Sequence, residues 1–307
     1  MKIEKLTLKG IIPAIVLPMN ENFEIDEEEY RNYLKWILRF KIGGLAINVD
    51  TGEGPHLFPE ERIRVLRIAS EVIKGKVPII AGLPTKFTKE AVEHARKIKE
   101  AGADAVLVFP IPAFRGPQAM EVVYNYHKAI GEGADIFMVL FQLQPDLGGI
   151  EYDEETLFKL TELDHVVAIK EASFDARKFT DTLRIIRSAP RKITVLTGND
   201  NFIYESLVLG ADGALIGFGT LGTDLLVEMY ELIQKKRYDE AKEIADRLQP
   251  LADVIFAPPV RNYRARIKEA LVMLGVLEKA YVRPPLLPIS DEEKEKVREA
   301  LKKAELL

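Results

Sequence analysis

The sequence predicts an α/β fold, a closed (β/α)₈ TIM barrel with a C-terminal helical extension, and three observations carry that expectation. Eight short, almost wholly apolar runs recur along the chain, at residues 11–17, 45–49, 77–81, 105–109, 136–141, 166–169, 193–196 and 214–216. Between them lie amphipathic stretches with helical spacing, for example 60–73, 89–101, 153–162 and 175–187. After the eighth run the alternation stops, and helical patterns alone continue over 239–253, 264–274 and 291–304.

Each observation has a physical reading. Strands that are apolar at nearly every position, rather than at every second one, suit a parallel sheet covered on both faces. Eight strand–helix units without a linker favour a closed barrel over an open doubly wound sheet. The turn chemistry repeats as well. Ala101-Gly102-Ala103-Asp104-Ala105, Leu209-Gly210-Ala211-Asp212-Gly213 and Ile42-Gly43-Gly44-Leu45 each end a helix and enter a strand. A glycine there can take the left-handed helix-end conformation. Prolines at 258, 259, 284, 285 and 288 punctuate the tail, and no ninth strand is expected in it. Residues 1–235 are therefore read as the barrel and 236–307 as a helical extension packed on it, not an independent domain. A length of 307 residues is common for one such barrel.

Composition narrows the function classes. Apolar residues make up 47% of the chain, enough for a large core, and 30% is charged. The net charge of −5 argues against a nucleic-acid or membrane-surface partner, both of which need a basic footprint. The absence of cysteine excludes disulfides, thiolate nucleophiles and Cys-based metal sites. No pair among His56, His94, His127 and His165 has metal-ligand spacing, so no protein-bound metal is expected. No stretch approaches the ~20 apolar residues of a membrane span. Residues 1–10 carry three lysines and no secretory core, so a cytoplasmic location is the expectation.

In such barrels chemistry sits at the C-terminal ends of the strands. That directs attention to Asp50-Thr51-Gly52-Glu53 after the second run, Phe141-Gln142 at the end of the fifth, and Lys170-Glu171 at the end of the sixth. Thr197-Gly198-Asn199-Asp200 follows the seventh run and Gly217-Phe218-Gly219 the eighth. Lys170 is the strongest single candidate. It follows Val166-Val167-Ala168-Ile169, and a lysine at a dry strand end tends to lose its proton. A neutral amine is what imine formation with a carbonyl requires. The alternative is a lysine that snorkels to solvent or pairs with Glu171. Residues 217–222 match G-x-G-x-x-G, which in a dinucleotide fold must be followed by a further strand bearing an acidic residue. Here helical pattern follows, which leaves a tight rim turn or an anion site as the competing readings. Of the histidines, only His56 falls on a loop at that end of the barrel.

Several blocks together resemble the family of dihydrodipicolinate synthase and N-acetylneuraminate lyase. They are Gly10-Ile11-Ile12-Pro13-Ala14, Asp50-Thr51-Gly52-Glu53, Pro59-Glu60-Glu61-Arg62, Val167-Ala168-Ile169-Lys170-Glu171-Ala172, Leu196-Thr197-Gly198-Asn199-Asp200, Leu274-Gly275 and Val282-Arg283-Pro284-Pro285-Leu286. The resemblance implies a class I aldolase-type lyase in which Lys170 holds a 2-oxo acid such as pyruvate as a Schiff base, with no external cofactor. It implies substrate contacts from Thr51, Gly52, Gly198, Ile216 and Phe141, and a homo-oligomer built as a dimer of dimers.

The departures are as informative. The family loop reads G-[ST]-T-G-E, and its hydroxyls and backbone N–H groups hold the substrate carboxylate. Here Thr51 keeps the second hydroxyl and Asp50 replaces the first, which in the family helps relay protons. An anion beside a carboxylate site is repulsive unless it points away or is protonated. The family's Y-N-x-P segment, whose tyrosine shuttles protons, here reads Phe141-Gln142-Leu143-Gln144-Pro145. A gapless count puts Gln142 at the tyrosine and a one-residue gap puts Phe141 there; neither transfers a proton. The family's Y-Y-N-R-P segment here reads Pro110-Ile111-Pro112-Ala113-Phe114-Arg115, and the arginine that binds the second substrate's carboxylate in the synthases matches Leu147. Asp50 is accordingly expected to take over proton transfer, with Gln142 orienting substrate. A sugar-acid aldolase or dehydratase is the leading expectation. The synthase that names the family, a nicotinamide-dependent oxidoreductase using the Gly217 loop and a sensor that binds without turnover are the rivals.

Overall fold

The computed structural model describes residues 6–116 and 119–307. Eight strands and eight helices alternate: β1 (Gly10–Pro13), α1 (Glu27–Ile37), β2 (Leu45–Ile47), α2 (Pro59–Ile73), β3 (Ile79–Leu83), α3 (Thr88–Glu100), β4 (Ala105–Val108) and α4 (Ala119–Ala134), then β5 (Phe137–Leu143), α5 (Glu154–Leu160), β6 (Val166–Ala172), α6 (Ala176–Ser188), β7 (Thr194–Thr197), α7 (Ile203–Val208), β8 (Gly213–Ile216) and α8 (Thr223–Gln234). Three longer elements of the extension follow, α9 (Tyr238–Ile255), α10 (Tyr263–Met273) and α11 (Asp291–Lys303).

All neighbouring strands are parallel, in the order β1-β8-β7-β6-β5-β4-β3-β2. The ends of that order meet through a single parallel bridge between Ala14 and Ala46, where the Ile15 N–H donates to the Ala46 carbonyl at 3.1 Å. The sheet is thereby closed, and the chain is a TIM barrel. Side chains sort by the two-residue period of a strand. Ile12, Ile80, Leu107, Val139, Phe141, Ala168, Ala172, Leu196 and Leu215 fill the inside of the barrel. Ile11, Val106, Leu140, Ile169, Val195 and Ile216 pack outward against the helices. Aspartates start several of the helices: Asp26 accepts from Glu29 N–H at 3.0 Å, Asp153 from Thr156 N–H at 2.7 Å and Asp175 from Arg177 N–H at 2.8 Å.

Two strands run longer than their apolar runs suggest. β5 continues through Gln142 to Leu143, and β6 continues through Lys170 and Glu171 to Ala172. Polar residues interrupt the hydrophobic pattern there, but buried hydrogen-bond partners let the ladder continue. Lys170 thus sits within β6, in register with Phe141 of β5 and Leu196 of β7.

The extension is joined to the barrel by a fully buried ion pair. Glu53, in the loop after β2, and Lys268, on α10, are both 0% exposed, and Nζ lies 2.5 Å from Oε1. Lys268 also donates to the Tyr281 carbonyl at 2.6 Å, and the second oxygen of Glu53 accepts the Arg283 N–H at 2.8 Å. Glu53 adopts φ +55°, a left-handed conformation that costs a non-glycine residue energy and that these partners hold in place. Replacing Lys268 by alanine would strand a buried carboxylate, so Lys268→Ala should lower stability by about 3–5 kcal/mol in denaturant unfolding. Lys242→Ala, which breaks an exposed pair with Asp246, should cost under about 1 kcal/mol in the same experiment.

Candidate active site

Lys170 points into the barrel because Ala168 and Ala172, two residues to either side, do so. It is 8% exposed, and its amine lies 4.8 Å from the centre of the Phe141 ring. Burial among apolar groups lowers its pKa below the usual lysine value, while the charges of Asp200 and Asp50 pull the other way. Its stem runs across Gly198: a Cβ on that glycine would stand 2.5 Å from the lysine Cε and 3.0 Å from the Ala172 Cβ. Gly198 is therefore glycine because the lysine needs the space.

Asp200 lies buried in the loop after β7 and accepts the Phe218 N–H at 2.8 Å, which anchors the turn after β8. Burial pushes its pKa up to about 6. The sequence places Asp200 in a strand-end loop but gives it no task; its contact with a backbone N–H eighteen residues on has no local signature.

The loop after β2 supplies Asp50, Thr51 and Gly52. A Cβ on Gly52 would stand 2.8 Å from the Ile15 carbonyl, so the loop lies tight against β1. Thr51 is buried, and its hydroxyl lies 3.3 Å from the Tyr263 hydroxyl. Tyr263 Oη donates to Asp50 Oδ2 at 2.9 Å. Arg264 forms an ion pair with Asp50 Oδ2, and its Nε donates to the Asp50 carbonyl at 2.7 Å. The carboxylate that looked repulsive beside a carboxylate site is thus paired with an arginine. Tyr263 stacks on Phe256, with ring centres 5.2 Å apart. Its ring also closes on Gly217 at the end of β8, where a Cβ would stand 3.4 Å from Tyr263 and 3.1 Å from the Thr51 hydroxyl. Tyr263 and Arg264 were invisible to motif reading, because they come from a helix more than two hundred residues along the chain from Asp50.

One expected site residue is corrected. Gln142 faces outward, on the side of β5 away from Lys170. Its amide donates to Glu171 Oε1 at 3.1 Å and Thr182 Oγ1 at 2.9 Å, and its carbonyl accepts the Tyr152 N–H at 3.1 Å. Those bonds satisfy it between barrel and helices, so it cannot orient a substrate inside. The register instead sets Phe141 beside Lys170. The Ile216 side chain packs outward in the helix-lined core, and its carbonyl accepts the Ala14 N–H at 2.9 Å. Leu147 is an exposed residue of the turn after β5. His56 is half-buried; burial and the neighbouring Arg264 lower its pKa.

The glycines of 217–222 serve packing. A Cβ on Gly219 would stand 2.9 Å from Pro13 Cα, and Gly222 takes φ +66° just before α8. Helices, not a strand, follow, which leaves a dinucleotide without its second strand. Among the described residues no group of three or more His, Asp or Glu is gathered for a metal ion, and no helix is long and apolar enough to cross a membrane.

A desolvated lysine amine in the mouth of a closed parallel barrel, with a hydroxyl-bearing loop across from it, defines a lysine-dependent lyase of the class I aldolase type. The chain belongs to the dihydrodipicolinate synthetase family, whose model matches residues 7–304. It is 32% identical over 299 residues to a 4-hydroxy-tetrahydrodipicolinate synthase of Archaeoglobus fulgidus, covering 97% of this chain and 99% of that one. It is 32% identical over 303 residues to the enzyme of that name from Maridesulfovibrio salexigens, covering 98% and 100%. Among solved structures, dihydrodipicolinate synthase from Thermotoga maritima superposes with a TM-score of 0.90 at 26% identity, over 98% of this chain and 100% of that one. The Acinetobacter baumannii synthase complexed with pyruvate gives 0.87 at 27% identity over the same shares, 98% and 100%.

The amine's environment is testable directly. Lys170 should release its proton below pH 10.5, the ordinary lysine value, and so be more neutral than a surface lysine at any lower pH. In Asp200→Asn the midpoint should fall further, since the lost charge was one that held the proton on. Carbon-13 NMR titration of reductively methylated protein, assigned with Lys170→Arg, measures both; a midpoint at or above 10.5 contradicts the reading.

Proposed function

We propose that the protein is a carbon–carbon or carbon–oxygen lyase in which Lys170 forms an imine with the C2 carbonyl of pyruvate or a sugar-derived 2-oxo acid. The carrying observation is the buried Lys170 amine, which lacks a hydrogen-bonded acceptor among the described residues and is aimed into the barrel mouth. Neutral Lys170 adds to C2, and the carbinolamine loses water to give an iminium. That iminium is an electron sink, so a C3 proton leaves or a C3–C4 bond breaks. The enamine then adds to an aldehyde or expels a hydroxyl. Thr51 and the Gly52 N–H are suited to the substrate carboxylate, and Phe141 supplies a dry wall that keeps the amine neutral. Asp50, paired with Arg264, is the nearby carboxylate suited to act as the base. No external cofactor is called for.

The partner of the 2-oxo acid is inferred from what the site lacks. Phe141 stands where the family has a tyrosine, and Leu147 matches the synthases' carboxylate-binding arginine. Both changes favour a hydroxylated, sugar-derived partner over an amino-acid semialdehyde. A second reading, 4-hydroxy-tetrahydrodipicolinate synthase, is favoured by the names of relatives that align over the whole chain. Turnover of pyruvate with aspartate semialdehyde separates the two. Assembly as a dimer of dimers is part of the same reading, although a monomeric synthase variant stands among the structural neighbours at a TM-score of 0.89 and 28% identity, over 98% of each chain.

Intact mass after pyruvate plus borohydride tests the central claim. Wild type should carry one covalent adduct and Lys170→Ala none. Gly198→Ala, whose added methyl must push the lysine stem aside, should trap about 10²-fold more slowly, the cost of misplacing a reacting atom by about an ångström. Absence of adduct with pyruvate and with longer 2-oxo acids would make Lys170 structural.

A further inference from the structure

We propose that Tyr263, from the helical extension, is the residue that carries the C3 proton, passing it to Asp50 in place of the tyrosine that β5 lacks. The inference rests on Lys170 forming the imine proposed above. Three observations support it. Beside Lys170, β5 presents Phe141, which has no exchangeable proton, and the segment after β4 offers proline, alanine and Phe114 but no tyrosine. The Tyr263 hydroxyl is the phenolic group bonded to the loop that would hold the substrate, 3.3 Å from Thr51 Oγ1 and 2.9 Å from Asp50 Oδ2. That hydroxyl is buried, its ring is fixed against Phe256 and Gly217, and its acceptor is fixed by Arg264.

The step balances without another reagent. In the iminium, the C3–H bond breaks and its electron pair becomes the C2–C3 double bond. The former C=N pair returns to the Lys170 nitrogen. Tyr263 Oη takes the departing proton as its own O–H proton passes to Asp50 Oδ2. Positive iminium and negative aspartate become neutral enamine and neutral aspartic acid. Because the two transfers are concerted, no free phenolate is required. That suits a tyrosine whose own ionisation is held well above the usual range by burial. Arg264 stays paired with Asp50 Oδ2 and fixes the position of that oxygen. Reversal returns a proton to C3.

The experiment uses pyruvate as its only substrate, so it is independent of the second partner. Exchange of the pyruvate methyl hydrogens in D₂O, followed by proton NMR, reads the C3 step; borohydride trapping reads the imine. Tyr263→Phe should keep the trapped adduct and lose methyl exchange by about 10²-fold or more, the usual contribution of general acid–base catalysis. Asp50→Asn, which keeps the tyrosine and removes the carboxylate that takes its proton, should show the same split. Exchange in Tyr263→Phe within threefold of wild type overturns the proposal, as does full exchange in Asp50→Asn. Loss of the adduct together with exchange in Tyr263→Phe makes the residue structural and overturns it too. A wild type that exchanges nothing while forming the adduct refutes this step alone; a wild type that forms no adduct removes the Schiff-base reading beneath it.

Discussion

The site depends on one buried contact, the ion pair between Glu53 and Lys268. A carboxylate and an ammonium with no exposure are a poor source of net stability, since withdrawing each from water costs several kcal/mol before they attract one another. What they do provide is position. Glu53 ends the Asp50-Thr51-Gly52 turn, and Lys268 lies on the same helix as Tyr263 and Arg264. Holding the two charges together aligns a loop of the barrel with a helix that the barrel does not contain. The Tyr263–Asp50, Tyr263–Thr51 and Arg264–Asp50 contacts all follow from that alignment. Breaking the pair would therefore disturb geometry as well as stability.

Around Lys170 opposite tendencies are balanced. Apolar walls of Phe141, Ala172 and Leu196 strip the amine of water and favour its neutral form, while Asp200 and Asp50 hold enough negative charge nearby to restrain that shift. Asp200 meets the reverse problem, a carboxylate pushed towards neutrality by the same burial and rescued in part by the Phe218 N–H. Each group moderates the other. The outcome is an amine that can lose its proton yet a pocket that still tolerates the cation formed once an imine exists.

Most of the fold was legible because its cause is local. Eight apolar runs and intervening helical periods are written in consecutive residues, and so was Lys170, a charge at the end of a buried strand. The site was legible only where its residues lie at strand ends. Side-chain parity was not: Gln142 and Phe141 are adjacent, and only the hydrogen-bonded register with β6 says which faces in. Ile216 illustrates the same limit, since its position at a strand end does not tell that its side chain packs outward. Tyr263 was out of reach altogether, because its partners are set by a fold-back of the chain that no spacing rule encodes.

The single Ala14–Ala46 bridge has a mechanical meaning of its own. Every other pair of neighbouring strands shares a ladder of two or more residues, whereas the junction of β1 and β2 has one bridge and, just before β2, the Gly43 N–H donating to the Ile11 carbonyl at 2.7 Å. A cylinder opens where its hoops are fewest, so transient openings of the backbone should begin along this line rather than at random. The seam runs up to the loop that carries Thr51, and the tail helices lie across its upper end like a strap. The weakest junction of the sheet and the loop that carries Thr51 thus share one end of the barrel.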